Sequence, residues 1–202
     1  MFYWFCWLVM RGFFWLFGSL KIDGLEHVPR RGPVILAPNH IHGFDPPLVG
    51  ICVPRRCAFM AKEELFRHRL LGALLRALGA FPVRRGTPDR VALRRAMAVL
   101  EQGGALVLFP EGTRSPDGRL QPAELGIGLI ALRTGAPIVP VRISGTRELL
   151  PPGARFPRRS QVRVRFGAPL VIASPGDRGG RDAYQAVADR VMAAIAALEP
   201  SP

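Results

Sequence analysis

The sequence predicts an α/β protein, a mostly parallel central sheet flanked by helices. Short apolar runs that read as strands alternate with stretches that carry apolar residues at helical spacing. Two of the runs, "ALVLF" (105–109) and "PIVPVRI" (137–143), are almost wholly apolar, as buried strands are. At 202 residues, 49% hydrophobic and 21% charged, the composition is globular, and the length suits one domain.

The first 20 residues, "MFYWFCWLVMRGFFWLFGSL", hold nine of the chain's 17 aromatics. The apolar run starts at residue 2 and no small-residue cleavage site follows, unlike a signal peptide. A spanning helix needs about 20 apolar residues, but Arg11 and Gly12 stand at the middle of this run. The segment therefore reads as a helix lying in the interface of one leaflet, with a break near Gly12. Residues 1–20 form this element and 21–202 a single domain.

"PVILAPN" (33–39) is a buried strand running into a turn. "EELFRHRLLGALLRALG" (63–79) sets Leu65, Leu70, Leu74 and Leu78 near helical period and stops at a glycine. After the brief strand "FPV", residues 87–104 predict a helix with Thr87 as N-cap and Pro88 at its first position. Leu93, Met97 and Leu100 share one face of it. "LGIGLIALRTG" is a short apolar helix closing on Gly135, and "QVRVRFG" (161–167) alternates as a half-exposed strand should. Residues 181–198 predict a last helix, with Ala186, Val187, Val191, Ala194 and Leu198 near one stripe. "PPGARFPRRS" (151–160) is a surface loop.

The formal net charge is +13, and of the 28 basic residues only Lys21 and Lys62 are lysines. Such a surface suits anionic lipid, phosphorylated substrates or nucleic acid. No zinc-finger spacing, RNP-like segment or basic heptad region supports nucleic acid. Cys6, Cys52 and Cys57 have no CxxC spacing and read as reduced thiols.

"NHIHGFD" (39–45) admits three readings. A metal site would use His40, His42 and Asp45, but the aspartate is one residue late for a binuclear hydrolase pattern and no histidine follows His68. A polar turn would have Asp45 capping a helix that begins at Pro46. A catalytic pair would join His40 to Asp45. On a regular helix these point about 140° apart, so only a turn at Gly43 could fold the aspartate back. The aspartate would then fix one imidazole nitrogen and leave the other as a base.

Three further blocks follow in order: "GAFPVRRG" (79–86), "FPEGTRS" (109–115) and "GAPIVPV" (135–141). Over roughly residues 20–170 the set resembles the 1-acylglycerol-3-phosphate acyltransferases, a family of membrane-associated glycerolipid enzymes. The resemblance implies a glycerolipid-acyltransferase-like fold over 21–202 and transfer of a fatty acyl group to a lysophospholipid hydroxyl, giving phosphatidic acid in phospholipid biosynthesis. It implies His40 as general base, oriented by Asp45, with acyl-CoA or acyl carrier protein as co-substrate and no metal or other cofactor. Arg85, Glu111, Gly112, Thr113 and Arg114 would bind the phosphorylated acceptor, Pro140 would shape a pocket, and His42 falls among variable positions. By the same resemblance the protein would be peripheral on the cytoplasmic face of a bacterial inner membrane. Members often carry a lysine where this chain has Glu124, which leaves another head group open.

Overall fold

The computed structural model describes residues 1–84, 89–172 and 180–198. Seven strands form one sheet: β1 (Lys21–Asp23), β2 (Val34–Pro38), β3 (Cys57–Lys62), β4 (Ala80–Val83), β5 (Ala105–Val107), β6 (Ile138–Ser144) and β7 (Arg163–Phe166). Their spatial order is β1-β7-β6-β2-β5-β3-β4. The strands from β6 to β4 run parallel. β7 turns antiparallel to β6, and β1 follows β7.

Alternate residues of the central strands enter separate cores. Val34 and Leu36 of β2, Ala105 and Val107 of β5, and Val139, Val141 and Ile143 of β6 point to one face. Ile35, Ala37, Leu106 and Ile138 point to the other. A sheet covered on both sides has apolar residues at every position, which explains the unbroken hydrophobic runs.

The first face is covered by α1 (Phe2–Gly18) and α2 (Asp45–Cys52), and the second by α4 (Arg90–Glu101), α5 (Gly126–Thr134) and α7 (Arg181–Ala197). α3 (Arg69–Ala77) connects β3 to β4, and α6 (Thr146–Leu149) follows β6. α5 ends on Gly135 at φ 64°, as the sequence predicts.

Several elements depart from the sequence reading. The stretch 63–79 splits into a 3-10 turn at Glu63–Phe66 and α3, because the His68 ring accepts from Leu71 N and caps a new helix. The side chain that caps α4 is Asp89, accepting from the N–H groups of Val91 and Ala92; Thr87 and Pro88 lie outside the described residues. Ala92 and Ala96, with Leu100, are its fully buried positions, while Leu93 and Met97 are half-buried. In α7 the buried stripe is Val187, Ala188, Val191 and Ile195, with Ala186 exposed.

α1 is unbroken at Gly12. Arg11 stays exposed but folds along the helix, its guanidinium donating to the Ile51 carbonyl at 3.1 Å and lying over the Trp7 ring. Phe14 is fully buried in the sheet's own core. The outward side of α1 carries Phe2, Trp4, Phe5, Leu8, Val9, Trp15 and Leu16, all exposed. No helix among the described residues is long and apolar enough to cross a membrane.

Candidate active site

The site forms where β2, β5 and β6 end, at the carboxyl edge where parallel sheets bind ligands. Asn39 closes the β2–β6 ladder. Its side-chain amide donates to Ile143 O at 3.1 Å and accepts from Ile143 N at 2.7 Å. The chain is thereby released from the sheet one residue before His40.

The turn after His40 is built around one carboxylate. Asp45 is fully buried, and its Oδ2 accepts from the N–H groups of Ile41 at 2.7 Å and His42 at 2.6 Å. The same oxygen meets His40 Nδ1 at 2.9 Å, and Oδ1 accepts from the Thr146 hydroxyl at 2.9 Å. So Asp45 and His40 do come together. The means differ from those expected, because Gly43 is not among the positive-φ glycines. The helix starts at Asp45 itself, Phe44 is the N-cap without a side-chain bond, and the carboxylate reaches back to the preceding amides. The capped-turn and catalytic-pair geometries are thus one arrangement.

A carboxylate only accepts, so in the neutral imidazole the hydrogen lies on Nδ1 and Nε2 carries the lone pair. Among the described residues nothing hydrogen-bonds Nε2. The ring is 5% exposed and stacks on Phe109 with centroids 4.1 Å apart. The His40 backbone is gripped too: its N–H donates to Glu111 Oε1 at 3.3 Å, and its carbonyl accepts from Ser115 N at 2.7 Å. This joins "NHIHGFD" to "FPEGTRS".

Glu111 is 3% exposed, and no hydrogen-bond donor reaches its Oε2 among the described residues. Burial pushes its carboxyl up to about 7, against the lowering influence of the His40 N–H and the Arg142 charge. A carboxyl raised this far keeps its proton in the folded chain but loses it when unfolded, between its ordinary value and about 7. Glu111 therefore adds stability at low pH that is lost as pH rises through neutrality. Glu111→Gln should match wild type near pH 4 and exceed it by about 2–3 kcal/mol at pH 8, read from urea unfolding.

The other expected site residues spread out. Gly112, at φ 65°, holds a tight turn where a Cβ would sit 2.9 Å from the Glu124 side chain. Thr113 and Arg114 are exposed, and the Arg114 guanidinium reaches over Gly43. Pro140 is buried in mid-strand opposite Ala37, its ring toward Gly167, and is not brought to His40. Arg85 lies outside the described residues. His42 contributes its N–H to Asp45, while its ring accepts from Phe44 N at 3.2 Å. Burial holds that imidazole below its usual range, opposed by Asp45.

Sequence reasoning missed Thr146. It is fully buried and 101 residues from the carboxylate it holds. Gly145 just before it, at φ 85°, sits so close to Gln161 O that a Cβ would collide. The only signal was a glycine after a strand, which is too common to stand out.

No group of three or more His, Cys, Asp or Glu side chains arranged to hold a metal occurs among the described residues. All three cysteines are free, and burial pushes the Cys52 and Cys57 thiols up to about 12, too high for a thiolate nucleophile at neutral pH.

The model of the family described as Acyltransferase matches residues 19–144, and the chain belongs to that family. It is similar to the 1-acyl-sn-glycerol-3-phosphate acyltransferase of Bacillus subtilis, 26% identical over 98% of this chain and 96% of the relative. The chloroplastic 1-acyl-sn-glycerol-3-phosphate acyltransferase BAT2 of Brassica napus is 32% identical over 76% of this chain, which spans 46% of that relative's length. The crystal structure of the 1-acyl-sn-glycerophosphate (LPA) acyltransferase PlsC from Thermotoga maritima superimposes with TM-score 0.71 at 31% identity, covering 95% of this chain and 78% of that one.

Proposed function

We propose that this chain is an O-acyltransferase that acylates the free hydroxyl of 1-acyl-sn-glycerol-3-phosphate from acyl-CoA or acyl carrier protein, giving phosphatidic acid. The observation that carries the reading is the buried His40, with Nδ1 bonded to Asp45 and the Nε2 lone pair left over. Nε2 takes the hydroxyl proton as the oxygen attacks the thioester carbon. The carbon–sulfur bond then breaks, and the departing thiolate recovers that proton. Asp45 stabilises the imidazolium in between, and no acyl-enzyme is required.

Arg85 and Arg114 are the arginine forks suited to the acceptor's phosphate, with Thr113 and the Gly112 backbone as further polar contacts. A protonated Glu111 is compatible with a phosphate nearby, whereas its anion would repel one. The exposed aromatic stripe of α1 suits docking on the cytoplasmic face of a membrane, where acceptor and product both reside.

The test is thioester release with long-chain acyl-CoA across a panel of lysolipids differing in head group. The highest kcat/KM should fall to lysophosphatidate. Turnover confined to another head group overturns the acceptor, and release with none of them overturns the acyltransferase reading.

A further inference from the structure

The surface loop 151–160 is not used by the chemistry, yet it is the most basic segment beside the site. From Leu149 to Arg159 the chain reads "LLPPGARFPRR", with three arginines and no acidic residue. Arg155, Arg158 and Arg159 are all exposed, and none forms an ion pair among the described residues. Between them Phe156 is 80% exposed, more than any other aromatic described. An unpaired basic cluster around a bare phenyl ring gains nothing from the protein's own packing.

The base of the loop is tied to neighbouring elements, while the tip holds only a turn of its own, Ala154 N donating to Pro151 O at 2.9 Å. Arg158 N donates to Leu149 O at 2.7 Å, and the Ser160 hydroxyl donates to Gly145 O at 2.9 Å. Ser160 N donates to Phe17 O, and Val162 N to Gly18 O. These bonds tie the loop to α6, which starts at Thr146, and to the last turn of α1. That turn exposes Trp15 at 78% and Leu16 at 51%. Arg163 of β7 pairs with Ser144 at the carboxyl end of β6, so the loop rises from the same edge as His40.

We propose that loop 151–160 is a second lipid-contacting element, in which Phe156 enters the interface of an anionic bilayer and Arg155, Arg158 and Arg159 bind its phosphates. This rests on the reading that α1 docks on a membrane, and extends that surface toward the site. The mixture of ring and cations is what an interfacial segment requires: the ring takes apolar burial, and each arginine near an anionic surface gives about fivefold in binding. An acidic protein partner would use the charges but has no call on the bare Phe156 ring, in a loop whose base is tied to the turn that exposes Trp15 and Leu16.

The experiment is vesicle co-sedimentation of the full chain at physiological salt, on phosphatidylcholine alone and with one-third phosphatidylglycerol. The variants are Phe156→Ser, the triple Arg155→Gln/Arg158→Gln/Arg159→Gln, and Trp15→Ser/Phe5→Ser in α1, each checked by its melting curve. The triple variant should bind the anionic vesicles about a hundredfold more weakly and lose its preference for them, on the order of fivefold per arginine. Phe156→Ser should bind both vesicles about tenfold more weakly. Loop variants that bind like wild type, while the α1 variant falls off, overturn the loop and leave α1 standing. Wild-type chain that binds neither vesicle overturns the α1 reading and the loop with it. Loop variants that bind vesicles normally but lose turnover only with acyl carrier protein as donor also overturn the proposal, in favour of a protein contact.

Discussion

Replacing His40 with alanine should reduce acyl transfer by roughly 10³-fold, the scale of a lost general base, while the chain still folds. The fold tolerates the change because the turn is held by backbone amides rather than by the ring. Without the imidazole, Asp45 keeps three donors: the N–H groups of Ile41 and His42 and the Thr146 hydroxyl. The chief structural loss is the ring's packing on Phe109. Thioester release measured beside a circular-dichroism melt separates the two effects. Activity within tenfold of wild type would remove His40 from the mechanism.

Asp45→Ala should lose a comparable share of activity and, unlike His40→Ala, most of the site's stability. One buried carboxylate accepts four hydrogen bonds here, and deleting it strands four donors, two of them buried and two part-buried. A cost of about 3–5 kcal/mol is expected, from penalties for unpaired buried polar groups. Thr146→Val removes a single donor and should cost about 1 kcal/mol. Should Asp45→Ala not fold, Asp45→Asn retains the shape and should show the activity loss alone. An Asp45→Ala chain that melts like wild type would mean the carboxylate does not organise the turn.

The layering was legible in the sequence because runs such as "VILAP" and "IVPV" are apolar at every position, the mark of a sheet covered on both sides. β3, next to the edge strand β4, escaped for the same reason: "CAFMAK" spreads small and apolar residues over two cores and shows no alternation. β1 is only three residues long, too short to have a period. The pairing of His40 with Asp45 could be anticipated from the chemistry their spacing allows. The device that achieves it could not, since it rests on amides of Ile41 and His42 and on a threonine near the far end of β6. Backbone donors and contacts across 101 residues leave no local trace. The break expected near Gly12 is absent, because α1 runs unbroken from Phe2 to Gly18 and is held by packing that local sequence does not show.

For the lipid acceptor proposed above, the reversal of β7 against β6 matters thermodynamically. Were the last strands parallel to the rest, the loop before β7 would emerge at the opposite edge of the sheet from His40. The antiparallel step instead keeps the loop at the edge where β6 ends, since β7 begins level with Ser144, on the side of the sheet that carries His40. Lifting a hydrocarbon chain out of a bilayer costs about 0.8 kcal/mol per methylene, a prohibitive sum for a whole acyl tail. On the proposed function, with loop 151–160 on the bilayer and His40 at the same edge, the acceptor need not be extracted: its tail would stay in oil while the head group alone climbs.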